Sequence, residues 1–524
     1  MTLIPQRLLG EALKLSASQY PDKTALIFKG EEFSFSEIYN RSLILASYLK
    51  RAGIKKGDRV AIFLNNSWQS VVAIYGITLS GGVFIVINPQ TKANKLQYIL
   101  NDSSAKILIT AGIFKSELSL ALNDVPFLQE IIVTDSVDLS EKIKKQSISL
   151  EIILKSENPS SVQTTVIPND LAALIYTSGS TGFPKGVMMT HQSMVFTSWS
   201  LIEYLRLTDK DRILLILPLA FDYGLYQLIM AITVGGTLIV EQSFTFPATI
   251  YKSIEKYKPT VFPGVPTVYA MMIATGKQTG LKFDCIEKVT NTAAALPAEF
   301  IPDLKMIFPN ALIFKMYGLT ECKRVCYLEP ELVDVKPNSV GKAIPGTEVF
   351  LLSADGEPVQ PGEAGILYIR GPHVMAGYWN KEDLSKEMLK LGKIPGERIL
   401  CSNDLFKMDE EGFLYFQGRT DDIIKTRGEK VSPLEIEKTI YKINGVKEVA
   451  VIGIADKVMG ESIVAFVTSY PDTEISKEII LRECTMHLES FMIPQNVILL
   501  DAMPKSSNGK FDKFELKKLI ANEK

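Results

Sequence analysis

Short apolar runs alternate along this chain with longer segments in which apolar positions recur every three or four residues. The short runs predict buried strands, and the longer periodic segments predict amphipathic helices. Ser36 is placed to cap a helix that ends near Gly53. Up to residue 110 the pattern predicts an N-terminal helix, then strands at 24–28, 59–64, 83–87 and 106–110, and helices at 36–51, 67–79 and 91–101.

The same alternation resumes after a polar stretch, residues 134–166, that predicts a surface excursion. Further buried strands are predicted at 213–217, 237–240, 260–262 and 312–315, and short β runs with turns at 341–369. Beyond residue 422 we predict helices at 433–443 and 476–488 and strands at 449–454 and 463–468.

Alternating strands and helices predict an α/β fold with mainly parallel sheets. We therefore expect a large N-terminal domain of parallel α/β sheets with a small β subdomain, residues 1–421. A small α+β domain, residues 422–524, follows it.

Composition narrows the class of protein. The chain has 57 basic and 59 acidic residues, a net charge of −2, which does not suggest a nucleic-acid partner. Five cysteines without a pairing or metal-ligand pattern favour a cytoplasmic location. The three histidines, His191, His373 and His487, argue against a histidine-rich metal site. We see neither a membrane span nor a signal-peptide core.

A glycine-rich loop between two apolar runs is the strongest chemical motif. Glycines expose backbone N–H groups, hydroxyls add donors, and Lys185 adds a positive charge, which together suit a polyphosphate. The loop is not a P-loop, because Pro184 precedes Lys185 and Gly186 follows it. The loop residues that we expect to bind phosphates are Thr177, Ser178, Gly179, Ser180, Thr181 and Gly182.

A second motif, residues 316–321, follows a predicted strand. Tyr317 beside Gly318 is placed to stack on a planar base, because ligands bind at the carboxyl edge of parallel sheets. Thr320 can donate to a phosphate oxygen, and the Glu321 carboxylate is a hard ligand suited to Mg²⁺.

Together these motifs resemble the AMP-forming adenylating superfamily of acyl-CoA synthetases, nonribosomal-peptide adenylation domains and luciferases. Further blocks follow in the family's order. The resemblance implies an adenine pocket at Ala293, Ala294 and Ala295, ribose contacts from Asp404 and Arg419, a hinge at Asp421 and a catalytic lysine at Lys510. The family usually has Thr-Gly-Asp where this chain has Ser402-Asn403-Asp404. A block at 371–380 resembles one that is mainly structural in the family.

The resemblance implies ATP-dependent conversion of a carboxylate to an acyl-adenylate with release of pyrophosphate. Lys510 would bridge the carboxylate and the α-phosphate, and the glycine-rich loop with Lys185 would hold the β- and γ-phosphates. Thr320 would lie near the α-phosphate, and Mg²⁺ on Glu321 would screen charge. A pantetheine thiol, expected on a carrier protein or alternatively on free CoA, would then displace AMP after the small domain swings.

The carboxylate substrate is less clear. Phe221-Asp222 matches the amino-acid-activating branch, in which the aspartate pairs with the substrate ammonium; Tyr226 and Met316 are further candidate substrate contacts. Alternatively Asp222 pairs internally, since Lys323 and Arg324 could reach the same pocket, and a polar or dicarboxylic acid becomes plausible. The main alternative of another class is a catalytically silent adenylate-binding protein.

Overall fold

The computed structural model confirms the α/β class. It describes residues 6–135, 145–156, 165–177, 184–292, 294–420, 422, 424–426, 429–456, 459–471, 473–488, 490–505 and 510–521.

The strands lie close to the predicted apolar runs. In chain order they are β1 Thr24–Phe28, β2 Glu31–Ser34, β3 Arg59–Phe63, β4 Val83–Val86, β5 Ile107–Thr110, β6 Glu130–Val133, β7 Gln146–Ser149, β8 Leu171–Thr177, β9 Lys185–Thr190, β10 Arg212–Leu215, β11 Thr237–Val240, β12 Val261–Gly264, β13 Lys288–Asn291, β14 Leu312–Tyr317, β15 Cys326–Leu328, β16 Lys342–Ala343, β17 Glu348–Leu352, β18 Ala364–Arg370, β19 Leu389–Leu391, β20 Arg398–Met408, β21 Leu414–Arg419, β22 Ile424–Thr426, β23 Glu429–Val431, β24 Val446–Asp456, β25 Gly460–Ser469 and β26 Asn496–Leu499.

Helices connect most of the parallel strands. They are α1 Leu9–Gln19, α2 Phe35–Arg51, α3 Trp68–Ser80, α4 Ala93–Asp102, α5 Lys115–Ala121, α6 Leu150–Ser156, α7 His191–Tyr204, α8 Asp222–Val234, α9 Pro247–Tyr257, α10 Pro266–Thr279, α11 Phe300–Ile307, α12 Glu382–Met388, α13 Pro433–Tyr441, α14 Lys477–His487 and α15 Lys513–Ala521. No helix in the described residues combines the length and the apolar character needed to cross a bilayer.

Two large sheets form the centre of the N-terminal part. One has the order β16-β15-β14-β13-β12-β10-β11-β1-β2 and the other β7-β6-β5-β3-β4-β8-β9. Both are parallel inside and antiparallel only at their edges, for example where β9 pairs with β8. A third, antiparallel sheet of β17 to β21 is the predicted β subdomain, and β22 to β26 form the sheet of the C-terminal unit.

The largest apolar core lies between the two large sheets. Helices α2, α3, α7 and α8 each contribute several buried side chains to this core, and strand residues such as Ile62 and Leu215 pack into it. Helices α9 to α11 cover the outer face of the first sheet, and α4 and α5 cover the second. The apolar strands are therefore buried on both faces, as parallel sheets require.

Two local predictions were wrong. The cap of α2 is Ser34, not Ser36: the Ser34 hydroxyl accepts from the Glu37 N–H at 3.2 Å, and Glu37 accepts from the Ser34 N–H at 2.7 Å. In addition, the polar stretch predicted as a surface excursion contributes β7, which pairs in parallel with β6, and α6, whose Ile153 is buried.

Candidate functional site

The candidate site lies where parallel strands of the first sheet end. β12, β13 and β14 run side by side, and their carboxyl ends place Gly264, Asn291 and Tyr317 at one edge. The loops that follow these strands carry most of the residues selected from sequence. Open α/β sheets bind ligands at this edge.

Gly318 lets the loop after β14 fold back closely on itself. A Cβ at this position would lie 2.3 Å from the Lys323 carbonyl oxygen and 2.9 Å from the Arg324 Cα. Any other residue would push that backbone away. Gly318 thus holds Lys323 and Arg324 against the end of β14, which the sequence alone did not indicate.

Tyr317, Asp404 and Arg419 form one cluster, as expected of a nucleoside site. The Tyr317 hydroxyl donates to Asp404 Oδ2, and Arg419 Nε lies 3.5 Å from Asp404 Oδ1. Burial, and then the Asp404 charge, hold the pKa of Tyr317 well above its usual value. The neutral phenol therefore stays a donor to the carboxylate.

Asn403 explains why the chain can depart from the usual Thr-Gly-Asp of this block. Its φ is +56°, in the left-handed region that glycine favours. Asparagine is among the few other residues that occupy this region readily. The turn is kept, and the Asp404 N–H donates to the Ser402 hydroxyl at 3.1 Å.

Lys185 and Glu321 are joined by a residue that sequence reasoning missed, Tyr378. Its hydroxyl donates to Glu321 Oε1 at 2.6 Å and accepts from Lys185 Nζ at 3.1 Å. Burial, and then the Glu321 charge, raise the pKa of Tyr378. Tyr378 belongs to the block that was expected to be mainly structural. In the sequence, only its position directly after Gly377 could have marked Tyr378 as a candidate site residue.

Mg²⁺ fits this site only together with a ligand. No group of three or more His, Cys, Asp or Glu side chains in the described part of the chain could hold a metal ion. Glu321 supplies one buried carboxylate beside Lys185. Mg²⁺ typically binds through one or two carboxylates plus substrate phosphates, so this donor set suits a nucleotide-bound Mg²⁺.

Asp222 is paired inside the protein. Lys323 Nζ lies 3.0 Å from Asp222 Oδ2, and the Lys323 side chain is 1% exposed. The rings of Tyr226 and Tyr223 flank the ammonium, with centroids 4.9 and 5.5 Å from it. Of the two cations that the sequence offered, Lys323 therefore makes the ion pair.

Several neighbouring cations lower the pKa of Asp222. Burial by itself raises the pKa of Asp222, but Lys323, then Arg324 and Lys510, lower it below its usual value. Burial lowers the pKa of Lys323, and the Arg324 charge lowers it further. Lys510 thus contributes, with Lys323 and Arg324, to keeping Asp222 ionised.

The other candidate substrate residues differ in their surroundings. Arg324 is fully buried and donates to the Thr292 hydroxyl. Tyr226 is also fully buried, and Phe221 is half-buried immediately before α8. Met316 is buried, and its sulfur accepts from the Tyr204 hydroxyl at 2.8 Å, so it belongs to the core as much as to a pocket.

Part of the expected phosphate and adenine site lies outside the described residues. Thr177 ends β8, and its buried Oγ1 has no partner within the described residues. Thr320 is half-buried, and Ala294 and Ala295 are exposed after β13. The residues that lie outside are Ser178, Gly179, Ser180, Thr181, Gly182, Ala293 and Asp421.

The fold and these clusters define a nucleotide-dependent carboxylate-activating enzyme, and comparison with known proteins agrees. Residues 13–379 match the model of the AMP-binding enzyme family, and residues 435–510 match the AMP-binding enzyme C-terminal domain. The chain belongs to the AMP-binding enzyme family.

Relatives are similar along the whole chain. A long-chain-fatty-acid–CoA ligase of Bacillus subtilis (strain 168) is 30% identical over 532 residues, covering 97% of this chain and 93% of that protein. A linear gramicidin synthase of Brevibacillus parabrevis is 27% identical over 97% of this chain but only 6% of its own length.

Solved structures share the fold. An anthranilate CoA ligase in complex with anthranoyl-AMP superposes with a TM-score of 0.90 at 25% identity, over 100% of this chain and 99% of that one. An o-succinylbenzoate CoA synthetase of Bacillus subtilis with ATP and a magnesium ion gives 0.81 at 27% identity, over 97% and 99%. This protein is an AMP-forming acid–thiol ligase: it uses ATP to make an acyl-adenylate, and then a thioester.

Proposed function

We propose that this ligase activates a carboxylic acid without an amino group and transfers it to CoA. The observation that supports this proposal is the ion pair between Asp222 and Lys323. Lys323 Nζ lies 3.0 Å from Asp222 Oδ2, and the lysine is fully buried.

The charge balance of the pocket supports the choice of acid. An amino-acid substrate would bring an ammonium toward Asp222, which already faces two cations, Lys323 and Arg324. Three positive charges would then share one carboxylate in a buried site, where an unbalanced charge is costly. An acid without an ammonium avoids this repulsion.

The roles of the nucleotide-binding residues follow from their clusters. Asp404, with Tyr317 and Arg419, offers a carboxylate that can accept both ribose hydroxyls. Lys185 offers a positive charge for the terminal phosphates, and Glu321 would hold Mg²⁺. When bound, Mg²⁺ neutralises charge on the phosphates.

In the reaction, a carboxylate oxygen of the substrate attacks the α-phosphorus of ATP. An oxygen–phosphorus bond forms, and the bond to the pyrophosphate oxygen breaks. Charge accumulates on the phosphoryl oxygens, where Lys510 and Thr320 would act as donors. The CoA sulfur then attacks the acyl carbon and AMP leaves.

The proposal also covers the domain boundary, the thiol acceptor and the location of the enzyme. We place the domain boundary between residues 421 and 422, with Asp421 as the hinge. We favour CoA over a carrier protein because the ligase relative is matched along almost its whole length. We place the enzyme in the cytoplasm, which suits its five free thiols.

ATP–pyrophosphate exchange tests the choice of acid. Purified protein with Mg²⁺ is offered short carboxylic acids and, separately, proline and other amino acids. We expect exchange with acids that lack an ammonium and thiol consumption when CoA is added. Exchange with amino acids alone would overturn the proposal and give Asp222 an ammonium partner. Acylation of a carrier protein but not of CoA would overturn the choice of acceptor.

A further inference from the structure

Arg324 carries a positive charge that the described residues do not balance. It is the largest fully buried side chain among them. Its Nη1 donates to the Thr292 hydroxyl, its guanidinium lies 5.6 Å from the centre of the Tyr223 ring, and its Nε has no hydrogen-bond partner within the described ranges. Arg324 forms no ion pair with any residue that the structure describes.

Among the described groups whose pKa the Arg324 charge shifts, one is a carboxylate, Asp222. The others are Lys323, whose pKa burial lowers, and buried phenols and thiols whose pKa burial raises so that they stay neutral: Tyr204, Tyr223, Tyr226, Cys322 and Cys326. Because Asp222 already pairs with Lys323, and the nearby Glu321 contacts Lys185 and Tyr378, Arg324 is left without a paired carboxylate among the described residues. Isolated buried charges are strongly unfavourable and are normally paired.

The backbone that presents these cations is itself strained. Lys323 has a φ of +65°, in the left-handed region that side chains other than glycine, asparagine and aspartate rarely adopt. The segment is held there by its close approach to Gly318. Strain of this kind persists where the surrounding structure enforces it, and it is concentrated at ligand sites.

We propose that Arg324, with Lys323 beside it, binds a second acidic group of the substrate, so that the acid activated here is a short dicarboxylic acid. This inference rests on the proposed function and specifies its substrate. The second carboxylate supplies the missing negative charge and accepts from the guanidinium. Arg324 lies three residues after Glu321 in the loop that follows β14, so the acidic end and the reacting end of the substrate are close together, which favours a short spacer between the two carboxylates.

The proposal distinguishes this chain from ligases for apolar acids. A purely apolar acyl chain would displace water from around the guanidinium without offering it an acceptor, which penalises binding. Matched acids that differ only in a terminal carboxylate therefore report on Arg324 directly.

The test compares dicarboxylates with monocarboxylates of equal carbon number, such as succinate with butanoate and adipate with hexanoate, in ATP–pyrophosphate exchange. We expect a kcat/KM at least about tenfold higher for a diacid than for its monoacid partner. In Arg324→Met this preference should disappear, mainly through a higher KM for the diacid, and Arg324→Lys should restore part of it.

Further measurements distinguish a folding defect from a failure of either proposal. Thermal unfolding and AMP binding check that Arg324→Met is folded, and Thr292→Val, which removes only the hydroxyl partner, should weaken the preference less. A monoacid preference in the wild type, or an equal loss for both acids in Arg324→Met, would overturn the inference while leaving adenylation of a non-amino acid intact. Exchange with amino acids alone would overturn the proposed function instead.

Discussion

The Tyr378 hydroxyl donates to Glu321 Oε1 at 2.6 Å, so a tyrosine whose backbone pairs with Val187 of β9 holds the carboxylate that we assign to Mg²⁺. The same hydroxyl accepts from Lys185 at 3.1 Å. One phenol thus orients both the candidate metal ligand and the candidate phosphate-binding lysine.

Tyr378→Phe should therefore weaken the response to Mg²⁺. Hydrogen bonds to charged groups contribute about 1.5–3 kcal/mol, so we expect the Mg²⁺ concentration for half-maximal exchange to rise about tenfold or more. Tyr368→Phe, in which the altered ring stacks on Phe350 in the β subdomain, is the matched control. An unchanged Mg²⁺ response in Tyr378→Phe would show that Glu321 does not depend on this bond.

Lys510→Ala should remove adenylation while sparing the second half of the reaction. Loss of a donor to transition-state charge costs on the order of 10²-fold, measured as pyrophosphate exchange. Thioester formation from a supplied acyl-adenylate and CoA should continue. Lys505→Ala is the control, because Lys505 pairs with Glu448 at 2.6 Å within the C-terminal unit. Intact exchange in Lys510→Ala would contradict the assignment.

Asp404→Asn should weaken nucleotide binding. The amide accepts less strongly than the carboxylate and offers an N–H group toward Arg419, so we expect a roughly tenfold higher dissociation constant for AMP by calorimetry. Asp409→Asn, which alters a carboxylate paired with Lys336 at 2.9 Å, should leave AMP binding unaffected. Equal AMP affinity in both variants would remove Asp404 from the ribose site.

The Asp222–Lys323 pair should show strong coupling in a double-mutant cycle. Asp222→Asn leaves two buried cations without a carboxylate, and breaking a buried pair costs about 3–5 kcal/mol. Lys323→Met in the same chain should recover much of this loss, measured by urea unfolding. If the two changes are simply additive, the pair is not an energetic unit.

Acid should destabilise the protein through His191. The Leu9 N–H donates to His191 Nδ1 at 3.1 Å, and burial lowers the pKa of His191 to about 4 from its usual 6.5. The unfolded chain takes up the proton first, so stability is lost as the pH falls from 6.5 towards 4, by up to about 3 kcal/mol. His191→Asn, which keeps an acceptor near that position, should show a flatter pH dependence.

The control for the acid effect is His487→Asn, because His487 is exposed on α14. Its unfolding midpoint should follow that of the wild type at every pH. The same slope in His191→Asn as in the wild type would assign the acid sensitivity to other groups, such as the buried His373, whose pKa burial also lowers to about 4.

The sequence by itself determined the fold class and the chemistry. Apolar runs located the strands, because strands of a parallel sheet are buried on both faces whatever their neighbours are. The motifs and their order resemble those of the AMP-forming adenylating superfamily, and that resemblance indicated an adenylating enzyme. Residues such as Asp404 and Lys185 could be selected without knowing what they contact.

Only the tertiary structure decided how these groups are paired. Lys323 rather than Arg324 reaches Asp222, because the close approach at Gly318 and the left-handed backbone of Lys323 set the direction of each side chain. Tyr378 joins Glu321 although 57 positions separate them in the chain. Charge balance and hydrogen bonding depend on distances in space, and sequence patterns record only spacing along the chain.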